Sequence, residues 1–514
     1  MDLFLSSLGA ILDPRTFFSM SMGIIAGLVG GAIPGITITM TIILTLPFTF
    51  GMDPVQGLAT MVGVYVGGES GGLVSACLIG IPGTPSAIAT TFDGFPMARK
   101  GEPGRAVWLG IWASILGGLL AGVPLVIGAT QLARLAVSFG PWEYFSLFIL
   151  TLSIVASLSE QSLVKGLIAG TFGLLVTTIG ADPLMAVPRL TFGWEFLRSG
   201  FPFLPILIGV FGLSQIMSDV EKAGTGQAET RLERLTSLRV SHLAVIKEIL
   251  AQPVNLIRST LIGLWIGILP AVGGSAANIL AYDQAKKGSR YPERFGTGIP
   301  DGIIASESSN NANIGGSLIT MMAFGIPGDA VTAVMLGALI IHGIQPGPYF
   351  ITTHAKVAYG MFVAYFLAHF LTVLYEWAGL RFALRVVALP LHILSPIILV
   401  LCVIGSYALN NIIENVWTFF LFGILGYLMV KTAFPLAPLI LGVILGDQIE
   451  ANFIRAIMTS SDWTLFFTRP WSGAMLALSA FSFGYSLWQR RAARRAARAA
   501  PTPVGAESDA DLES

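Results

Sequence analysis

Eight residues in the second half of this chain, Ser306-Glu307-Ser308-Ser309-Asn310-Asn311-Ala312-Asn313, form a dense polar run inside a region otherwise suited to lipid. Asn and Ser side chains supply both donors and acceptors, a set that suits carboxylate oxygens or a hard cation. No lipid-facing helix could carry them, because polar groups at bilayer depth face a cavity or a partner. The plain alternative is a loop at the membrane surface; the apolar run 314–324 directly after them argues for depth. In the first half, Glu69 sits within Gly67-Gly68-Glu69-Ser70-Gly71-Gly72. A carboxylate there could pair with a cation or hold a proton, or sit at a wet rim. Gly68–Gly72 also fits G-x-S-x-G, in which Ser70 would be a nucleophile. In a chain with 59 glycines that pattern arises easily. Its base would have to come from His342, His354 or His369, and nothing in the spacing ties one to Ser70.

Two segments position this chemistry. One runs from Gly71-Gly72 to Gly80-Ile81-Pro82-Gly83, the other from Gly315-Gly316 to Gly325-Ile326-Pro327-Gly328. Glycine and proline at this density interrupt a helix, and broken backbone at bilayer depth must line a cavity or be buried in protein. A matched pair of interrupted segments in two halves of a membrane protein points to a binding site. Gly83, Thr84, Ser86, Gly328 and Asp329 would start new half-helices, whose N-termini attract anions. With Asn310, Asn311 and Asn313 they are the candidate substrate residues. Unwound carbonyls and nearby oxygens suit sodium, which makes Pro34, Gly35, Glu69, Ser70, Ser308 and Thr320 the candidate ion residues. The competing reading is that the glycines only allow close helix packing, which leaves the paired Pro-Gly breaks unexplained. Asp93 and Asp301 each precede glycine in what reads as polar loop, and are expected to be turn or cap residues.

The chain around these segments is 54% hydrophobic and 11% charged, with a mean hydropathy of +0.76, against about 25% charged residues in soluble chains. An all-α polytopic membrane protein follows, with about 10–12 transmembrane helices of about 20 residues plus two re-entrant helical hairpins. Zero net charge gives no reason to expect nucleic acid as a partner. Two cysteines and five histidines lack metal-ligand spacing, so no catalytic residue, cofactor or metal beyond sodium is expected. Met1–Ala10 has neither a basic n-region nor a cleavage site, so no cleaved signal is expected. The expected divisions are 1–217 (broken segment 68–92), a cytoplasmic linker 218–250 with an amphipathic helix, 251–488 (broken segment 302–341), and a basic then disordered tail 489–514.

Charge placement sets sides. Arg490–Arg498, the linker, Arg99-Lys100 with Arg105, and Lys286-Lys287 with Arg294 read as cytoplasmic. The basic loop follows Gly-Ile-Pro-Gly in the first half but precedes it in the second, whose following turn His342–Pro348 has no Lys or Arg. Equivalent loops then lie on opposite sides, the mark of inverted-topology repeats, and the C-terminus is cytoplasmic.

The order of motifs resembles the TctA family, the large membrane subunit of the tripartite tricarboxylate transporters. The matching residues are Ile33-Pro34-Gly35, Gly71-Gly72 through Ile81-Pro82-Gly83-Thr84-Pro85, Asp93-Gly94-Phe95-Pro96-Met97-Ala98, Leu269-Pro270, Asn310-Asn311-Ala312, Gly325–Gly328, His342–Pro348, Leu445-Gly446 and Thr468-Arg469-Pro470. The resemblance implies a bacterial inner-membrane importer of organic carboxylates, of elevator design and not an enzyme. Such members work with a small TctB-like membrane subunit and a periplasmic TctC-like binding protein. An ion gradient drives them, usually taken as sodium, with H+ the other choice. Family members commonly carry an uncharged residue where this chain has Glu69. An intramembrane serine protease using Ser70 and a carboxylate channel are the alternative functions.

Overall fold

The computed structural model describes residues 2–158, 162–223, 240–387, 391–409 and 411–499. The first half contains α1 (Asp2–Leu12), α2 (Pro14–Ala32), α3 (Ile38–Thr49), α4 (Pro54–Ile79), α5 (Ile88–Arg99), α6 (Pro103–Val137), α7 (Pro141–Leu158), α8 (Leu163–Thr177), α9 (Phe203–Leu207) and α10 (Ser214–Ala223). The second contains α11 (His242–Leu250), α12 (Pro253–Ile268), α13 (Gly273–Lys287), α14 (Pro300–Phe324), α15 (Ala330–Ile341), α16 (Phe350–Thr353), α17 (Ala355–Val387), α18 (Leu391–Ala408), α19 (Glu414–Lys431), α20 (Leu436–Thr459), α21 (Leu465–Thr468) and α22 (Pro470–Ala499). A short antiparallel hairpin, β1 (Gly180–Ala181) with β2 (Pro188–Arg189), is a minor addition to the expected all-α fold. Arg189 of β2 ties it to Glu450 of α20, with Nη2 2.9 Å from Oε2.

Proline starts many of these helices, since its missing N–H is unneeded at the first helical position. Asp13 and Asp53 add side-chain caps ahead of Pro14 and Pro54, accepting from Arg15 N and Val55 N at 3.0 and 2.9 Å. α4 and α14 both stop on a left-handed glycine, Gly80 at φ 72° and Gly325 at φ 70°, a conformation only glycine adopts without strain. The earlier breaks also correspond. After Pro34 and after Pro270 the chain passes through positive φ, at Gly35 (97°) and Ala271 (54°). Each half therefore runs helix, Pro break, helix, long helix, Gly-Ile-Pro-Gly break, helix.

Close packing follows from the small residues. A Cβ on Gly27 or Gly31 of α2 would strike the carbonyl of Val64 or Gly68 on α4. In the second half, Gly263 and Gly267 of α12 sit in the same way against Ser309 and Asn313 of α14. Helices approach this closely in membranes because lipid offers no hydrophobic drive and contact must come from backbone-near packing.

Three packing groups result. Helices α1–α6 and α11–α17 form one, α7 and α8 with α20–α22 form another, and α9, α10, α18 and α19 form a smaller third that leans on the first through α3 and α15. The continuous helices α6 and α17 belong with the broken ones. Gly117 of α6 is pressed on Ser308 of α14, and the Tyr365 hydroxyl of α17 donates to Gly118 O at 2.8 Å.

Among the described residues six helices are long and apolar enough to cross a membrane, or seven if the bent pair α11–α12 is one span. The expectation of 10–12 fails because Pro and Gly cut apolar sequence into short pieces such as Ile38–Thr49 and Ala330–Ile341. The expected amphipathic linker helix is α11, which buries Val245 and Ile249 and joins α6 through Glu248 and Arg105 at 2.6 Å. Residues 224–239 of the linker and 500–514 of the tail lie outside the described residues.

Asp93 corrects the loop expectation. It lies inside α5, fully buried. One oxygen accepts the N–H groups of Gly296, Gly298 and Ile299 at 3.0, 2.7 and 3.0 Å, and the other the Tyr282 hydroxyl at 2.8 Å. It clamps the loop before α14 onto the first half. Asp301 stands in the first turn of α14 and accepts from Gln252 at 3.1 Å.

Candidate functional site

A cavity of about 310 Å³ lies where the three packing groups meet. One wall is made by the starts of α3, α13 and α15, by the tip residues Pro85 and Ser86, and by Glu69 of α4. The other is made by α10, through Ser214, Gln215 and Ser218, and by the N-terminal half of α20. No Lys, Arg or His lines it among the described residues.

The tips are folded back tightly. Gly83 N–H donates to Gly72 O at 3.2 Å, and Gly83 lies against the carbonyl of Gly31 with no room for a Cβ. Gly328 occupies the matching place against the Gly267 carbonyl. These contacts turn the chain so that a helix or 3-10 turn begins at the cavity on each side.

Four helix starts face this space, and they differ in who satisfies their N–H groups. Thr37 caps α3, accepting from Met40 N at 3.1 Å. Asp329 caps α15 in a capping box: Oδ1 takes Thr332 N at 2.8 Å, and the Asp329 N–H is 3.0 Å from Thr332 Oγ1. The 3-10 turn Pro85–Ala87 has no cap from Thr84, the Ala89 N–H of the following α5 turn going to Asn278 at 2.7 Å, and α13 has no side-chain cap at Gly273. These two open starts, one from each half, adjoin. A Cβ on Gly274 would lie 2.9 Å from Ser86 Cβ, 3.2 Å from Asn310 Oδ1 and 3.7 Å from Asn313 Nδ2. Asn310 Oδ1 and both polar atoms of the Asn313 side chain have no partner among the described residues. Open helix starts carry partial positive charge and free donors, so this corner can hold an anion.

The two carboxylates of the lining are already engaged. Glu69 accepts the Ser86 hydroxyl. Asp329 accepts the Tyr65 hydroxyl and, at 3.1 Å, Ser317 Oγ, besides its capping bonds.

Of the expected substrate residues, Ser86 and Asp329 line the cavity, and Thr84 is buried behind with its hydroxyl 3.0 Å from Ser86 Oγ. Gly83 and Gly328 are the packed turns. The run 306–313 is helical and fully buried in α14, so the surface-loop reading fails. Asn310 donates to Glu69 O at 3.4 Å, and Asn311 turns away to Ser70 Oγ at 3.2 Å.

Of the expected ion residues, Glu69 alone lines the cavity. Pro34 and Gly35 form the break, and the wall begins beyond them at Thr37. Ser308 and Thr320 hydrogen-bond within α14, to Ala305 O at 3.5 Å and Ser317 O at 3.2 Å. Ser70 is buried mid-helix in α4, not on the strand-to-helix turn a nucleophile elbow requires.

Sequence reasoning missed Tyr65, Ser317, Gly274 and Asn278. Asn278 accepts from Ala89 N at 2.7 Å and donates to Ser306 O at 3.1 Å, joining α5 to α14. Gly274 was the one with a signal, since Gly273-Gly274-Ser275 follows the Pro270 break closely.

Fold and site together define an all-α multi-pass membrane protein whose broken helices frame a cavity with polar groups set in a largely apolar lining. The model of the Tripartite tricarboxylate transporter TctA family matches residues 17–441, and the chain belongs to that family. It is 34% identical over 435 residues to an uncharacterized 52.8 kDa protein in the TAR-I ttuC' 3'region of Agrobacterium vitis, covering 84% of this chain and 85% of that one. A second protein of that organism, in the TAR-II ttuC' 3'region, is 33% identical over 217 residues, 42% of this chain and 90% of the relative. No solved structure is a significant match.

Proposed function

We propose that this protein imports an organic carboxylate of the tricarboxylate or dicarboxylate class across the bacterial inner membrane, driven by a cation gradient of Na+ or H+. The observation that carries this reading is the corner where two uncapped helix starts, one from each half, meet over Asn310 and Asn313. Preorganised N–H groups bind carboxylate without a cationic side chain, and the orphaned amides offer further hydrogen bonds. A small TctB-like membrane subunit and a periplasmic TctC-like binding protein are its partners.

The site's position where the group with the broken helices meets the other helices supports an elevator. The group with the broken helices would carry the substrate, and α7–α10 with α18–α22 would stay as scaffold. The repeated element order, taken with the charge placement, supports inverted halves whose broken segments would enter from opposite faces of the membrane and bring their tips to one cavity, with the C-terminus cytoplasmic.

The test is uptake of labelled citrate, succinate and tartrate by proteoliposomes holding the protein and its partners, with and without an imposed ion gradient. Accumulation that collapses with the gradient, and that Asn310→Ala and Asn313→Ala abolish at normal protein abundance, is the expected result. Uptake indifferent to every gradient would make the protein a channel. For the topology, Lys100→Cys and Gln345→Cys should label from opposite sides; labelling from one side would refute the inversion.

A further inference from the structure

One face of α17 carries Tyr365, His369, Thr372 and Glu376, on successive turns, none more than 3% exposed. His369 Nδ1 lies 2.7 Å from Tyr365 O. A carbonyl only accepts, so Nδ1 carries the hydrogen and Nε2 is the site free to take a proton. Nε2, Thr372 Oγ1 and both Glu376 oxygens have no hydrogen-bond partner among the described residues. Such groups are rare at full burial and need a reason. Nε2 rests on Gly118 of α6, where any Cβ would displace it.

The row continues on both sides. Ser114, one turn before Gly118, donates to Glu307 Oε2 at 2.7 Å, and Thr90 donates to the other oxygen. Asn310, one turn beyond Glu307, donates to the backbone carbonyl of Glu69, whose carboxylate lines the cavity. At the far end Glu376 lines a second cavity of about 290 Å³ between α17, α2 and α4. Leu380, one turn further, packs in one cluster with Val245 and Ile249 of α11, on the side that charge placement reads as cytoplasmic. The ionisable groups facing this row are Tyr365 and Tyr375 of α17, Glu307 of α14, and Cys77 of α4 beside Glu307. The α2 lining at Glu376 is Ile25, Leu28 and Val29. Among the described residues no Lys or Arg pairs with Glu307 or Glu376, and chains of buried acids and histidine in membrane proteins serve as proton relays.

We propose that Glu69, Glu307, His369 and Glu376 form a proton path from the cavity to the cytoplasmic end of α17, so that the proton is the ion that drives uptake. The proposal rests on the carboxylate-uptake reading above and names its coupling ion. The proton passes between carboxyl oxygens and the imidazole through hydroxyls and water; each carboxylate left behind is reprotonated by the next proton, and nothing is oxidised or reduced.

The experiment uses the full chain with its partners in proteoliposomes, Glu376→Gln and His369→Asn as variants, and labelled citrate, succinate and tartrate as probes. Wild type should accumulate a probe on an inward proton gradient without sodium. Both variants should lose that accumulation at least about tenfold, yet keep exchange of labelled for unlabelled probe at equal pH, which needs no net proton movement and shows that they fold. Variants that accumulate like wild type overturn the path. Wild-type accumulation that follows only a sodium gradient overturns the proton claim and leaves carboxylate uptake standing. Variants that lose exchange as well assign the row to structure and overturn the proposal. No uptake of any probe under any gradient sinks the uptake reading, and the proposal with it.

Discussion

At the first break the chain leaves α4 through Gly80, turns at Gly83 and starts again at Pro85 with no cap from Thr84, the Ala89 N–H further on being held by Asn278. At the second it leaves α14 through Gly325, turns at Gly328 and starts again under the Asp329 capping box. The backbones match, but Thr84 stands where Asp329 does. One break offers its helix start to a ligand, and the other closes it with its own carboxylate. The Pro breaks show the reverse assignment: α3 is capped by Thr37 in the first half and α13 is open in the second. Each half thus gives one open and one closed start, and the two open ones adjoin. A repeated scaffold can build one asymmetric site by varying a single residue at each cap.

The severest test fills the place where the open starts meet. Gly274→Val should cut uptake by about a hundredfold, since misplacement of about an ångström at a positioned site costs that much, with normal abundance by immunoblot. Retained uptake would remove this corner from the site. Next, Thr84→Asp should make the first break resemble the second. A carboxylate over the open start competes with the ligand, and the half-saturating concentration for exchange should rise about tenfold, which is about 1.4 kcal/mol.

Asp329→Ala works in the other direction. It removes the cap of α15, worth about 0.5–2 kcal/mol, and leaves Tyr65 and Ser317 without their acceptor, at about 1–3 kcal/mol for each buried group left unpaired. Thermal unfolding in detergent should shift down, and Asp329→Asn, which can still cap, should recover part of the loss. Glu69→Gln keeps an acceptor for Ser86 but removes a negative charge from the anion's surroundings. At an effective dielectric near that of a protein surface this is about 1 kcal/mol or more, so half-saturation in exchange assays should fall about fivefold. The smallest effect is expected from Arg189→Gln, far from both breaks. Its ion pair with Glu450 is part-exposed and worth about 1 kcal/mol or less, and uptake should not change.

Much of this site was legible. The polar run 306–313 had to be buried because lipid cannot solvate it, and the structure buries all of it. The Gly-Ile-Pro-Gly pairs had to end helices because proline lacks an N–H and glycine accepts positive φ. Other residues left no such trace. Tyr65 is an aromatic residue in an apolar stretch until Asp329, 264 positions away, is placed against its hydroxyl. Asn311 and Asn313 look interchangeable in sequence, but rotation along α14 turns one to Ser70 and the other to Gly274. Asp93 reads as a turn residue because Asp-Gly usually marks one; the three N–H groups it holds come from the other half. The count of spans was overestimated because apolar length says nothing about how often a helix is cut.

By itself, then, the sequence determined that this chain lives in a membrane, that four helices are broken at named prolines and glycines, and that polar groups sit at depth. Composition and local backbone chemistry suffice for that, because lipid excludes unpaired polar groups and proline and glycine act within one turn. Only the tertiary structure decided which helix starts are open, which amides face Gly274, and that α6 and α17 belong with the broken helices. Those facts depend on helix rotation and on contacts between residues hundreds of positions apart, which no local pattern encodes.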